Sequence, residues 1–107
     1  MSDQVVRNAP LRALGDGVSR RVLACQKDMM MVEVCFEKGA CGAPHEHPHV
    51  QSTYVLEGSF TFTIDGQEHA VSQGDSLTFL SDQRHGCVCT QKGRLLDVFT
   101  PMRDDFI

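Results

Sequence analysis

Apolar and polar residues alternate with a period of two along much of this chain. The alternation is clearest in residues 31–37 and 59–64, where valine, phenylalanine or isoleucine occupies every second position. Because successive side chains of a β-strand point to opposite faces, this period predicts strands with one buried face and one solvated face. The buried side chains expected in these two stretches are Val32, Val34, Phe36, Phe60, Phe62 and Ile64.

Glycines and turn dipeptides divide the rest of the chain into similar short stretches. Asp65-Gly66 is typical of a two-residue hairpin turn, and Pro101 is expected to end the last strand. The further strands predicted in this way cover residues 52–57, 67–71, 76–80, 85–90 and 94–100. Many short strands in so small a chain favour an all-β jelly roll or barrel, a closed architecture that leaves few strand edges bare.

The chain of 107 residues fits a single domain. We expect an N-terminal arm over residues 1–19 and a β-barrel domain over residues 20–107. Residues 8–17 are compatible with a turn of helix or with an extended segment, and the pattern does not decide between them.

Composition and charge exclude several classes of partner. Hydrophobic residues make up 41% of the chain, enough for a compact core, and the formal net charge is −4. The basic residues are scattered, so neither nucleic acid nor an anionic membrane is an expected partner. The first ten residues lack the apolar core of a secretory signal, and no apolar run approaches membrane-spanning length, so we expect a cytoplasmic protein.

The five cysteines form no recognisable disulfide or zinc framework. Their number is odd and none of them forms a C-x-x-C pair. Cys87 and Cys89 follow His85 at steps of two, so they are expected to face the same side as His85. Packing in the core is their default role, and a thiolate close to a metal is the alternative.

A histidine cluster carries the densest chemistry of the sequence. His45 and His47 are two positions apart, so on an extended strand both imidazoles point to one side. Gln51 can rejoin that face after Pro48 disturbs the register, and His85 opens a later strand. Imidazole is the commonest metal ligand in proteins, so His45, His47, Gln51 and His85 are the candidate ligands of one divalent ion. Zinc, nickel, iron, copper and manganese all remain possible, and the alternative is a polar loop without metal.

Two motifs in the sequence resemble those of the cupin superfamily. The first runs from glycine through His-x-His to a glutamate and a final glycine, and its spacing is met by Gly39, His45, His47, Gln51 and Gly58. In the second motif Gly74 and His85 are present. Leu80, Asp82 and Cys89 stand where cupins have proline, glycine and asparagine. The resemblance implies a cupin double-stranded β-helix, or jelly-roll barrel.

Gln51 replaces the glutamate of the cupin motif. A carboxylate would lower the charge of the site by one, whereas three neutral imidazoles and an amide leave the full double charge on the ion. Such a site favours an anionic ligand, for example a substrate carboxylate.

Asp97 lies on the apolar face of the last predicted strand. It shares that face with Leu95 and Phe99, and an inward carboxylate is costly unless it is paired, hydrogen-bonded or functional. An ion pair with Arg103 that pins the C-terminus is one explanation, and a catalytic role is the other.

The segments HEHPHVQSTYVLEGSF and LLDVFTPMRDDFI resemble the KdgF family of pectin-degradation cupins. That resemblance implies a metal-dependent enzyme that opens 4,5-unsaturated uronates, released from pectin or alginate, to 5-keto-4-deoxyuronate. It implies catalytic roles for Asp97 and Arg103, with Arg103 also binding the substrate carboxylate. Tyr54 is a further candidate for a substrate hydrogen bond, with sheet packing as its alternative role.

Two other function classes remain open at this point: a metal-dependent dioxygenase of the small cupin type, and a non-enzymatic module that binds a sugar or an anion. The resemblance to cupins of this size implies a homodimer. The sequence identifies neither the native metal nor the uronate epimer.

Overall fold

The computed structural model describes residues 4–107, so the first three residues of the predicted arm lie outside the described residues. Regular structure in this range consists of eight β-strands and one 3-10 helix, Asp104–Phe106, and no helix there is long and apolar enough to cross a membrane. The strands are β1 (Arg12–Gly15), β2 (Val18–Gln26), β3 (Met29–Phe36), β4 (Cys41–His45), β5 (Val50–Ile64), β6 (Gln67–Ser72), β7 (Ser76–Phe79) and β8 (His85–Thr100). The prediction of an all-β fold is confirmed, and the undecided residues 8–17 contain the short strand β1.

The two longest strands, β5 and β8, form the central pair of the molecule. Each joins two stretches that the pattern predicts as separate strands, so the predicted breaks at Gly58 and before Arg94 are wrong. Gly58 has a φ of 81°, and the register between β5 and β8 shifts around it without ending the strand. Glycine with positive φ marks a bulge as readily as a strand end, which explains the error.

All strand pairings are antiparallel, in the order β1-β2-β3-β8-β5-β6, with β4 also on β8 and β7 also on β5. The start of β8 pairs with β4, while its end pairs with β3. Because β8 pairs with different strands along its length, the sheet rolls around a common interior. This rolling brings the end of β4, the start of β5 and both ends of β8 towards one cavity.

The interior holds two groups of buried apolar side chains. The larger group is built on Phe36, Phe60 and Phe62, and the smaller one consists of Met30, Val32 and Phe99. Val34 and Ile64, also predicted to face inward, are partly buried against these groups. The inward faces read from the alternation are therefore confirmed, and the histidines lie where the two groups approach each other.

Candidate metal centre and its cavity

Three histidines meet at one end of the interior. His45 ends β4 and lies opposite His85, the first residue of β8, while His47 lies in the loop that follows β4. Their candidate ligand nitrogens all lie within 4.8 Å of one another. The expectation that His45 and His47 share a strand is wrong, because β4 ends at His45, but the structure brings the two rings together as predicted.

The turn before β8 holds the His47 loop in place. The backbone N–H of Asp82 donates to the His47 carbonyl at 2.7 Å, and the Ser81 hydroxyl donates to the Pro48 carbonyl at 2.7 Å. Asp82 has a φ of 60°, a left-handed conformation that aspartate adopts more readily than most residues. Aspartate therefore adopts the conformation required where cupins have glycine, and the turn keeps His47 beside His85.

Backbone carbonyls fix the tautomer of all three imidazoles. In each ring Nδ1 faces the carbonyl two residues away, at 2.8 Å for His45, 3.1 Å for His47 and 2.9 Å for His85. A carbonyl can only accept, so Nδ1 carries the hydrogen, and in the neutral ring Nε2 is left with a free lone pair. Metal-binding histidines commonly show this arrangement.

Burial keeps His47 and His85 neutral. It lowers the pKa of His47, and it lowers the pKa of His85 to about 4. The Nε2 atom of His85 is buried without a hydrogen-bond partner among residues 4–107. A buried polar atom without a partner is costly, and a metal ion would satisfy the lone pair. The donor set therefore fits a metal ion.

Gln51 completes the group of predicted ligands. Its side chain is buried on β5, and its Oε1 lies 3.0 Å from His47 Nε2. Since the amide oxygen and the imidazole nitrogen both present lone pairs, their approach is unfavourable unless a cation lies beside them. The structure thus places all four predicted ligands together.

Asp97 lines the same cavity, which has a volume of about 170 Å³. The Thr53 hydroxyl donates to Asp97 Oδ1 at 2.7 Å. Burial raises the pKa of Asp97 to about 6, partly offset by the hydrogen bonds from Thr53 and Gln51 and by the charge of Arg103. A carboxyl group with this pKa can exchange a proton near neutral pH.

Arg103 also lines the cavity but does not form the alternative ion pair with Asp97. Its Nε and Nη2 donate to Asp105 at 3.0 and 2.9 Å. Its guanidinium lies 4.4 Å from the centre of the Phe106 ring. Arg103 is therefore held by residues of its own C-terminal segment, and Asp97 is left without an ion-pair partner within residues 4–107.

Several other residues with polar or reactive side chains do not belong to the group of three histidines. Tyr54 is on the outer face of β5 and 44% exposed, so the structure does not bring it to the cavity. Of the two remaining histidines, His69 is exposed, and the His49 ring nitrogen Nε2 lies 3.1 Å from the Met102 carbonyl. Cys87 lines the cavity, but its sulfur does not belong to the group of ligand atoms within 4.8 Å of one another, and burial raises the pKa of its thiol to about 12. Both observations favour a packing role over a thiolate ligand.

Three residues at the site were not predicted from the sequence. Thr53 is two positions after Gln51, so strand alternation could have placed it on the same inward face. Arg20 lines the cavity and stacks 3.8 Å from the centre of the Phe106 ring, a contact that brings together β2 and the C-terminus. No local pattern identifies Arg20 or Phe106, because they are distant in the sequence.

Comparison with known proteins places these features in a family. The cupin domain family matches residues 32–99. The pectin degradation protein KdgF of Dickeya dadantii is 41% identical over 100 residues, which cover 92% of this chain and 91% of that protein.

Solved structures of two other proteins match over nearly the whole chain. An RmlC-like cupin from Shewanella frigidimarina has a TM-score of 0.95 and 35% identity, covering 99% of this chain and 97% of the other. KdgF from a Halomonas species has a TM-score of 0.93 and 31% identity, covering 99% and 100%. The predicted jelly-roll barrel and the resemblance to KdgF are both confirmed.

Proposed function

The chain belongs to the cupin domain family, and we propose that it is a metal-dependent enzyme that opens the ring of 4,5-unsaturated uronates. The product would be open-chain 5-keto-4-deoxyuronate. The observation that carries the proposal is the convergence of unprotonated imidazole nitrogens next to the buried carboxyl group of Asp97. The similarity to a relative named for pectin degradation supports the substrate class.

His45, His47, His85 and Gln51 would hold the ion, which could be zinc, nickel, iron or manganese. When bound, it supplies a Lewis acid for the oxygens of an anionic substrate. The four donors are neutral, so the charge on the ion favours a carboxylate-bearing ligand. The cavity of about 170 Å³ is below the usual size of drug-binding pockets, about 300–1,000 Å³, which suits a single sugar ring.

Arg103 binds the substrate carboxylate in this proposal. Two of its N–H groups hold Asp105, which fixes the guanidinium and leaves three N–H groups without a hydrogen-bond partner in the described part of the chain. A guanidinium held in place in this way can donate to a carboxylate with little further loss of side-chain freedom.

Asp97 transfers the proton that saturates the double bond. The proton goes to C4 of the C4=C5 enol ether, and water adds its hydroxide to C5 while its remaining proton restores Asp97. The resulting hemiketal opens by breaking the bond between C5 and the ring oxygen, which leaves a ketone at C5 and a hydrated aldehyde at C1. Loss of that water balances the water added, so the reaction is an isomerisation overall.

The test is to incubate the purified protein with lyase-made unsaturated uronate and to follow the alkene proton by NMR. We expect the signal to decay faster than the spontaneous rate, and a chelator should remove the acceleration. Asp97→Asn should lower turnover by about 10²–10⁴-fold, the usual contribution of general acid–base catalysis. Decay at the spontaneous rate, unchanged by chelator, would contradict the proposal, and a binding module would have no turnover to lose.

A further inference from the structure

Thr53 connects the candidate ligand Gln51 to the carboxyl group of Asp97. The hydroxyl oxygen of Thr53 lies 2.7 Å from Asp97 Oδ1 and 3.0 Å from Gln51 Nε2. Thr53 is 1% exposed, so water does not compete for these hydrogen bonds. The three side chains form a hydrogen-bonded chain that leads from the carboxylate to the proposed metal position.

The direction of the hydrogen bonds in this chain is set by the carboxylate. An ionised carboxylate only accepts, so the single hydrogen of the Thr53 hydroxyl points to Asp97. The remaining lone pairs of the hydroxyl can only accept, so the end of the Gln51 amide that meets Thr53 must be its NH₂ group. The amide oxygen is thereby turned to the other side, where it lies 3.0 Å from His47 Nε2.

We propose that Thr53 is a positioning residue that presents the oxygen of Gln51, rather than its nitrogen, to the metal ion. The two ends of an amide have nearly the same size, so packing alone cannot select between them, whereas hydrogen bonds can. An amide turned the other way would point N–H groups at a cation and supply no ligand. This inference rests on the metal site of the proposed function.

The test compares the Zn²⁺ affinity of the full-length protein with that of Thr53→Val and Thr53→Ser, by competition with a chromophoric chelator. Thr53→Val keeps the side-chain shape but removes the hydroxyl, and we expect about 10- to 100-fold weaker binding, as is usual when an outer hydrogen-bond partner is lost. Thr53→Ser keeps the hydroxyl and should restore most of the affinity. Thr61→Val, on the partly buried outward face of the same strand, is the matched control and should bind like wild type.

Equal affinity of wild type and Thr53→Val would overturn the inference while leaving the metal site intact. A wild-type protein that takes up no Zn²⁺ would overturn the metal site and the inference together. These two results are distinguishable in the same titration.

A second measurement does not depend on the folding of a variant. In the metal-free wild-type protein, NMR should show nuclear Overhauser effects from the side-chain NH₂ protons of Gln51 to the Thr53 methyl group. Effects from those protons to the His47 ring proton on Cε1, without any to Thr53, would place the NH₂ group at the metal position and overturn the inference.

Discussion

At the scale of single residues, the neutral state of the site comes from burial and from hydrogen bonds that the backbone supplies. Carbonyls hold the hydrogens of the imidazoles on Nδ1, and burial keeps His85 from being protonated. The sequence predicted His45, His47 and Gln51 as candidate ligands because the spacing of the first cupin motif is local. The alternation of side chains along β5 predicts two further orientations. If Gln51 faces inward, Thr53 must face inward and Tyr54 outward, and the structure shows both.

Asp97 should make the stability of the metal-free protein depend on pH. Its pKa is raised from 3.8 to about 6, so the folded state holds the proton more tightly than the unfolded state. The tightly held proton of Asp97 therefore adds to the free energy of unfolding below pH 4. This addition should be lost as the pH rises through about 6. His85, with its lowered pKa, acts in the opposite direction over a similar range: its contribution is present above 6.5 and is lost as the pH falls through about 4.

Asp97→Asn separates the two effects, because it removes the Asp97 contribution and keeps His85. Urea unfolding in the presence of a chelator, repeated from pH 4 to pH 7, should show the variant gaining stability relative to wild type as the pH rises. A difference between the two proteins that does not change with pH would contradict the raised pKa.

Cys87→Ala should leave metal binding unchanged. The Cys87 sulfur is not among the ligand atoms that lie within 4.8 Å of one another, and burial raises the pKa of its thiol to about 12, which disfavours the thiolate. We expect a Zn²⁺ affinity within about twofold of wild type and a stability loss of about 1 kcal/mol from the lost packing. His85→Ala, on the same strand, is the control that should lose the affinity. A large loss of affinity in Cys87→Ala would instead favour the thiolate alternative.

At the scale of elements, the fold depends on the close approach of β5 and β8. The hydrophobic alternation predicted which residues face inward, because that period is local. It did not predict that two pairs of stretches are continuous strands, because a glycine in the sequence does not show whether a partner strand continues beside it. Gly58 and Gly93 lie at the bulge, where β5 and β8 approach each other most closely. At either glycine a side chain would collide with the backbone of the other strand.

Gly93→Ala should destabilise the protein strongly. A Cβ at this position would collide with the carbonyl oxygen of Glu57, and backbone cannot move aside as a flexible side chain can. We expect a loss of about 3 kcal/mol or more in chemical denaturation, at the upper end of overpacking effects. Gly66→Ala, in an open hairpin turn with φ of 83°, should lose only about 1–2 kcal/mol, the cost of a left-handed conformation. Equal losses in the two variants would show that β5 and β8 are not tightly packed at the bulge.

At the scale of the whole molecule, the site is assembled from segments that are far apart in the chain. The sequence predicted that His85 would join the histidines near residue 45, because the cupin motifs relate them. It could not show that Arg103 pairs with Asp105 rather than Asp97, since either partner satisfies a guanidinium. The contact of Arg20 with Phe106 joins β2 to the C-terminus and depends on the pairing of both β2 and β8 with β3. The homodimer and the cytoplasmic location stay predictions.

The most direct test of the account is the metal content of the full-length protein, measured by native mass spectrometry after purification and again after incubation with Zn²⁺, Ni²⁺ or Mn²⁺. We predict one divalent ion per chain in the wild type and none in His85→Ala, which removes the buried nitrogen that has no hydrogen-bond partner among residues 4–107. A folded wild-type protein that neither carries nor takes up any of these ions would contradict the account.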